Sequence, residues 1–206
     1  MTGIELPDPI TDHGPAFAEV LNERKSVRSY SNESLVLKDL SQLLWAGQGT
    51  THASTGKSLR TAPSSGAHHP FTVYCYCSEE GCLGLKGGLY RYHPRRHHLT
   101  LHKESIASTA LADVFAGQQA ISDTDVIFIL AADPSDSLAE YPEKGEQFVL
   151  MEAGHIGQNI LLMATALGIG SCPVGLFPSV DVNTLFDLPD EHDSVYAVPV
   201  GPLPVN

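Results

Sequence analysis

Hydrophobic positions along the chain follow two different periods. Between Glu146 and Leu167, the residues Val149, Ala153, Ile156, Ile160, Met163 and Leu167 recur at alternating steps of four and three. Such steps return a side chain to one face of a 3.6-residue turn, so the spacing predicts a long α-helix buried along that seam. Phe148, Met151 and Leu162 extend the apolar surface and leave Glu152, His155 and Asn159 as a narrow polar stripe. A helix this apolar belongs in a domain centre or at a subunit interface. Two shorter amphipathic stretches, 16–25 and 37–46, predict further helices; the second carries Leu40, Leu43 and Leu44 on one face and Gly47 in the C-terminal stop position.

Elsewhere the period is two. Phe71 to Cys77 alternates and is rich in aromatic and β-branched residues, Leu89–Tyr92 and His98–His102 predict a hairpin across Pro94, the apolar run Val126–Ala131 suits a central strand, and Val195–Val200 predicts a last short one. The polar, Gly/Ser/Thr-rich stretch Thr50 to Ala62 predicts a loop, whose part at 50–59 is a candidate lid. No repeat or linker interrupts the order helix, helix, strands, long helix, strand, which predicts an α+β layer in a single domain over 1–206.

Charge narrows the partners. The 206 residues hold 12 Lys and Arg against 24 Asp and Glu, a net charge of -12. That balance argues against coating nucleic acid or lying on a membrane, since both need clustered positive charge. The most apolar stretch, 148–170, is broken by Glu152, His155, Gln158 and Asn159, so no membrane span is expected. Met1–Glu5 has neither a basic start nor an apolar core, which leaves the cytoplasm as the expected location. The charge is also uneven: residues 1–103 hold 11 bases and 9 acids, whereas 104–206 hold Lys144 against 15 acids. Side-chain cations for any phosphate must therefore come from the first half.

Cys75, Cys77, Cys82 and Cys172 lack the paired C-x-x-C knuckles of a zinc site and read as core filler. His98 and His102 alternate with Leu99 and Leu101, which predicts solvated histidines on the polar face of a strand, and no metal is expected. Glu152 and His155 form one Glu-x-x-His without the second copy a di-iron bundle needs, and read as a satisfied core pair. Nucleotide loops fail too: Gly56-Lys57-Ser58 has Thr51 where a P-loop needs its first glycine, and Pro173 stands at the third glycine of a Rossmann fingerprint.

Three constellations remain. Arg24-Lys25-Ser26-Val27-Arg28 places two Arg four apart, on one face of a helix or, with Ser26, along one side of an extended segment; either makes an anion clamp with a hydroxyl between, unless it is only a solvated basic helix end. Arg60-Thr61-Ala62-Pro63-Ser64-Ser65-Gly66-Ala67 offers an Arg, a turn-fixing Pro, two hydroxyls and a Gly that lets backbone approach a ligand. The Gly/Pro-rich exit from the long helix, 168–177, could aim free backbone N–H groups at an acceptor.

In this order, five segments resemble the FMN-dependent nitroreductase superfamily, most closely its streptolysin-associated, SagB-type dehydrogenase branch: Arg24-x-Ser26-x-Arg28, Arg60-x-x-Pro63-Ser64-Ser65-Gly66-Ala67-x-x-Pro70, Gly88-Leu89-Tyr90-x-Tyr92, Glu152-Ala153-Gly154-His155-x-x-Gln158-Asn159, and Pro173-Val174-Gly175-Leu176-Phe177. The resemblance implies a nitroreductase-like α+β fold, a central mostly antiparallel sheet flanked by helices, and a homodimer intertwined through the long helix. It implies FMN as cofactor, with Arg24 toward the phosphate and Ser26 and Arg28 toward the ribityl chain and the N1/O2 side of the flavin. Pro63, Ser64, Ser65 and Gly66 would cover the flavin from the second subunit, with Arg60 as an added phosphate ligand, and the Pro173-Val174-Gly175 turn would offer a backbone N–H to flavin N5.

The activity so implied is hydride transfer through N5 between NAD(P)H and a small-molecule or modified-peptide substrate, with no obligatory side-chain acid. Tyr141, Phe148 and Phe177 are loose candidates for the substrate side. Two departures bear on this. Ala67 stands where other nitroreductases carry Asn, and the tail Gly201–Asn206 has no cation, which leaves a phosphate to Arg24, Arg28 and Arg60. No Lys is followed by Tyr, the pair that azoline-oxidising members use. An azoline dehydrogenase of a peptide-modifying system and a non-catalytic flavin-binding subunit are the alternatives.

Overall fold

A computed structural model describes residues 3–51 and 59–204. The elements run β1 (Ile4–Glu5), α1 (Phe17–Glu23), β2 (Leu35–Val36), α2 (Leu37–Gln48), β3 (Thr50–Thr51), β4 (Leu59–Arg60), a single 3-10 turn (Ser65–Ala67), β5 (Phe71–Cys77), β6 (Cys82–Leu83), β7 (Gly88–His93), β8 (His98–Glu104), α3 (Ser108–Val114), α4 (Gln119–Ser122), β9 (Val126–Ala132), α5 (Ser135–Glu140), α6 (Gly145–Ala166), β10 (Ile169–Ser171), α7 (Ser179–Phe186) and β11 (Asp193–Pro202).

Seven strands make one antiparallel sheet in the order β1-β8-β7-β5-β9-β11-β10. Helices cover both faces, so the architecture is α+β with a central antiparallel sheet. Alternation along β5 and β9 divides the core. Val73, Cys75, Phe128 and Leu130 face α2 and α6, where they meet Leu40, Leu43, Leu44, Ile156 and Ile160. Tyr74, Tyr76, Ile127 and Ile129 face the opposite layer, with Phe115, Val182 and Phe186 of α3 and α7. Strand β9 is buried at every position, which is why it reads as an unbroken apolar run.

Helix α6 is the long periodic helix, and its buried residues include Val149, Ala153, Ile156 and Ile160 of the predicted seam. It packs on α1, α2, α5, β10 and β11. Glu152 leaves the polar stripe: it is buried, while His155 is exposed, so the predicted core pair does not form.

Other expectations are corrected. Helix α2 runs through Gly47 to Gln48, because Gly47 packs against Ile160 and Ile156 of α6; Gly49 ends the helix. The loop predicted over 50–62 contains the paired strands β3 and β4, registering Thr50 with Arg60 and Thr51 with Leu59. The candidate lid centres on residues 52–58, which lie outside the described residues. The histidines of β8 are not simply solvated. His98 stacks on His93 with centroids 4.6 Å apart, and His102 meets Tyr74 edge-on at 5.1 Å and bonds the Asp187 carbonyl. Among the described residues no group of three or more His, Cys, Asp or Glu could hold a metal, and no helix is long and apolar enough to cross a membrane.

Candidate functional site

The Arg-x-Ser-x-Arg segment is extended, not helical. Helix α1 ends at Glu23, and Arg24 turns the chain out with φ -55 and ψ 122. The Val27 N–H then donates to the Ser171 carbonyl at 2.8 Å, and the Ser31 N–H donates to the Pro202 carbonyl at 2.9 Å. Tyr30 closes this segment by donating its hydroxyl to the Val27 carbonyl at 2.8 Å.

Two glycines make the close approach possible. Gly170 and Gly201 register with each other across β10 and β11. A Cβ on Gly170 would stand 2.9 Å from Val27 Cγ1, and one on Gly201 would stand 2.9 Å from Tyr30 Cβ. Both distances lie inside van der Waals contact, so the lack of side chains is what lets 27–30 lie on the sheet edge.

That docking brings Ser26 and Arg28 beside Cys172, the residue before the Pro173-Val174-Gly175 turn. Burial pushes the Cys172 thiol up, while Arg28 and Ser26 act to lower it. Within the turn, Val174 exchanges backbone bonds with Ala197 at 2.9 Å in both directions, and Pro173 has no N–H. The exposed Gly175 N–H takes no hydrogen bond among the described residues. The free donor expected on this turn is therefore that of Gly175.

The other predicted residues gather elsewhere. Arg60 Nη1 donates to Gln48 Oε1 at 2.9 Å and approaches the Gln48 carbonyl at 3.4 Å. The Glu152 carboxyl is buried beside Arg60, Gln48, Ser64 and His68; burial pushes it up, and those four neighbours partly offset the shift. Among the described residues, Glu152 Oε1, Gln48 Nε2 and Arg60 Nε in this group are buried without a well-formed hydrogen bond, the two donors lying beside the carboxyl acceptor.

The turn after Pro63 is tight. Ser64 Oγ accepts the His69 N–H at 2.9 Å, and Gly66, Ala67 and His69 all have positive φ, of 60, 60 and 52. Ala67 holds this conformation without the local side-chain hydrogen bond that makes Asn tolerant of it. His68 anchors the turn to α5 through Glu140 at 2.6 Å. Asn159 of α6 donates to the Thr61 carbonyl at 3.2 Å.

Ser26 and Arg28 thus lie beside Cys172, and the Gly175 turn lies against the Tyr196 ring that also meets Gly157 of α6, whereas Arg60 and Ser64 lie beside Glu152. From Glu152 to the end of α6 at Ala166 the helix rises ~21 Å. Along it, between α1, α2 and α6, runs a cavity of about 620 Å³ that sequence reasoning missed, with Val20, Trp45, Thr61, Leu162 and Met163 among its walls. Trp45, the single tryptophan, was its one available signal. Of the loose substrate-side candidates, Tyr141 and Phe148 pack edge-on at 5.2 Å, while Phe177 packs on Phe115 at 5.0 Å in the opposite layer.

Known proteins match this chain along nearly its whole length. A model of the nitroreductase family matches residues 21–202. A candidate nitroreductase of Methanocaldococcus jannaschii is 32% identical over 198 residues, spanning 96% of this chain and 95% of its own. The crystal structure of a candidate nitroreductase from Ralstonia eutropha superposes with a TM-score of 0.83 at 25% identity, covering 99% of this chain and 90% of that one. A chain of the E. coli microcin synthetase McbBCD complex, solved with truncated pro-MccB17 bound, superposes at 0.74 with 18% identity, over 97% of this chain and 76% of that one, which is a likeness of fold.

Proposed function

The chain belongs to the nitroreductase family and is an oxidoreductase, and we propose that it is FMN-dependent, passing hydride through flavin N5 between NAD(P)H and a small-molecule or modified-peptide acceptor. The observation that carries this is the bond from Val27 to Ser171, which sets Ser26 and Arg28 beside the turn bearing the free Gly175 N–H. This segment and turn offer groups that can donate: the guanidinium groups of Arg24 and Arg28, the Ser26 hydroxyl and the Gly175 N–H. A flavin mononucleotide presents the matching acceptors, namely phosphate oxygens, the O2 carbonyl and N5.

FMN, when bound, supplies the hydride chemistry, and the chain supplies position and charge. Arg24 would hold the phosphate, Ser26 would bond the ribityl chain, and Arg28 would supply positive charge on the N1/O2 side of the flavin. The Gly175 N–H would be the donor offered to N5. No side-chain acid is required by this arrangement.

The working unit is a homodimer of single-domain chains. One chain holds its predicted site residues in two groups, Ser26 and Arg28 beside Cys172 and Arg60 and Ser64 beside Glu152, so in this dimer a second copy would bring its Arg60 and Pro63–Gly66 turn over the first copy's Arg24–Arg28 segment. Exposed apolar side chains favour the same reading: Leu150 and Met151 on α6 are 54% and 58% exposed, and Phe17 on α1 is 67% exposed.

Within the family, the five ordered motifs support a SagB-type reading. A second reading, azoline dehydrogenation in a peptide-modifying system, draws on the fold shared with a chain of the microcin synthetase complex; the missing Lys-Tyr pair weighs against it. The test is direct. Purified protein should take up FMN with a flavin absorption band, and NAD(P)H should bleach it without oxygen. Failure to bind FMN overturns the proposal, and an unreactive bound flavin replaces it with a non-catalytic flavin-binding role.

A further inference from the structure

Tyr196 stands between α6 and the turn of residues 173–175. One edge of its ring faces Gly157 of α6: a Cβ there would be 2.6 Å from Cε1 and 2.9 Å from Cδ1. The opposite edge faces Gly175, where a Cβ would be 3.6 Å from both Cδ2 and Cε2. The ring thus fills the gap between a buried position on the helix and the exposed glycine whose N–H is unpaired among the described residues.

The ring is held in place from behind. Strand β11 carries a bulge between Ser194, which registers with Ala131, and Tyr196, which registers with Leu130. A bulge re-aims a side chain, and here Val195 and Tyr196 both pack against the α2/α6 side of the core. From Tyr196 to Val200 every residue of β11 registers with one of β9, so the backbone under the ring cannot retreat from α6. The flanks of the turn have anchors of their own: Val174 bonds Ala197, the Leu176 carbonyl accepts from Gln118 Nε2 at 2.7 Å, and Phe177 meets Phe115. Gly175 takes part in no hydrogen bond among the described residues, and what lies against it is the Tyr196 ring.

We propose that Tyr196 is a positioning residue: its ring, wedged between Gly157 and Gly175, sets where the turn presents its free N–H. Burial pushes the Tyr196 phenol up and Cys172 pushes it further, so the ring also borders the thiol beside which Ser26 and Arg28 lie. The Tyr196 hydroxyl takes no hydrogen bond among the described residues, which makes the ring the part that acts. Tyr196 lies outside the five motifs, so the motif pattern assigns it no role.

The proposal rests on the function proposed above for what that N–H meets, and the first test does without it. In flavin-free protein, hydrogen exchange at the Val174 N–H, compared with Phe128 of β9 as a gauge of global opening, should be roughly tenfold faster in Tyr196→Ala and unchanged in Tyr196→Phe. Gly157→Ala should speed it too, because the new Cβ drives the ring toward the turn, and should add nothing in a chain that already carries Tyr196→Ala. Unchanged exchange in Tyr196→Ala, an equal effect of Tyr196→Phe, or an effect of Gly157→Ala that persists without the ring overturns the proposal.

The second test uses bound flavin. Tyr196→Ala should weaken FMN and riboflavin binding alike, roughly tenfold, since the turn serves the flavin ring and not the phosphate. It should also shift the midpoint potential of the bound flavin, whereas Tyr196→Phe keeps the wild-type affinity and potential. Faster exchange with unchanged affinity and potential makes Tyr196 a packing residue only, and the proposal is withdrawn. If the wild-type protein takes up no flavin, the proposed function fails while exchange at Val174 still decides whether Tyr196 sets the turn.

Discussion

Val27 and Ser171 are joined by one backbone hydrogen bond of 2.8 Å, and through it a segment leaving α1 lies against the strand that follows α6. Residues 144 apart in sequence thereby meet at one edge of the sheet.

Arg24 follows from that placement. With no cation in the tail beyond Gly201, Arg24→Ala should weaken FMN binding about tenfold or more, the effect of losing a charge-assisted contact to phosphate. Riboflavin, lacking the phosphate, should bind the variant and the wild type alike. Titration of flavin fluorescence distinguishes the two, and an unchanged FMN affinity would sink the assignment.

Gly201→Ala probes the docking of the segment. Its Cβ would sit 2.9 Å from Tyr30 Cβ, a backbone-anchored atom with little freedom to yield. Overpacking of this kind costs about 1–3 kcal/mol. Urea unfolding should show that loss, and FMN affinity should fall with it, because Ser26 and Arg28 are displaced together.

Glu152 makes stability depend on pH in a definite direction. Its folded carboxyl is raised by burial, so between the ordinary carboxylate range and that raised value the folded state binds more protons than the unfolded one. Stability contributed by this group is therefore complete at low pH and lost as pH rises through the folded value, and each tenfold difference in proton affinity between the two states is worth about 1.4 kcal/mol. Glu152→Gln removes the effect. Relative to wild type, the variant should gain stability between pH 4 and pH 8; a relative loss on going to higher pH would contradict the placement of Glu152.

The four thiols should be silent in the folded protein. Cys75, Cys77, Cys82 and Cys172 are all free and buried. Burial pushes Cys75 well up and Cys82 up to about 12, so neither holds appreciable thiolate near neutrality. A thiol reagent should label none of them in native protein and all four after denaturation.

The exposed face of α6 should carry the dimer. Replacing Leu150 and Met151 together by Glu puts two charges on a surface that the proposed second copy covers. Light scattering should report a monomer, with FMN affinity lost and the far-ultraviolet dichroism retained. A flavin-loaded monomer would refute the shared site.

Periodicity by itself determined most of the elements, because each is a local compromise between apolar spacing and backbone geometry. The seam of α6, the alternation of β5 and the apolar run of β9 each declare which faces are buried. The motifs likewise named Arg24, Ser26, Arg28 and the 173–175 turn, and their order identified the family. What failed were readings where a distant contact outvotes a local signal. Gly47 looked like a helix stop but packs on Ile160, the polar stretch at 50–62 pairs as β3 and β4, and Glu152 turns inward to Gln48 and Arg60 while His155 faces solvent.

Only the tertiary structure decided which chemical groups meet. Composition and spacing determined that all but one of the cations lie in the first half of the chain and that one helix is apolar most of the way round. They did not determine that Ser26 and Arg28 lie beside Cys172, that the Gly175 N–H stays unpaired among the described residues, or that Thr50 bonds the Pro94 carbonyl. Those depend on hydrogen bonds and close packing between segments far apart in sequence, whose geometry exists only once the sheet has formed.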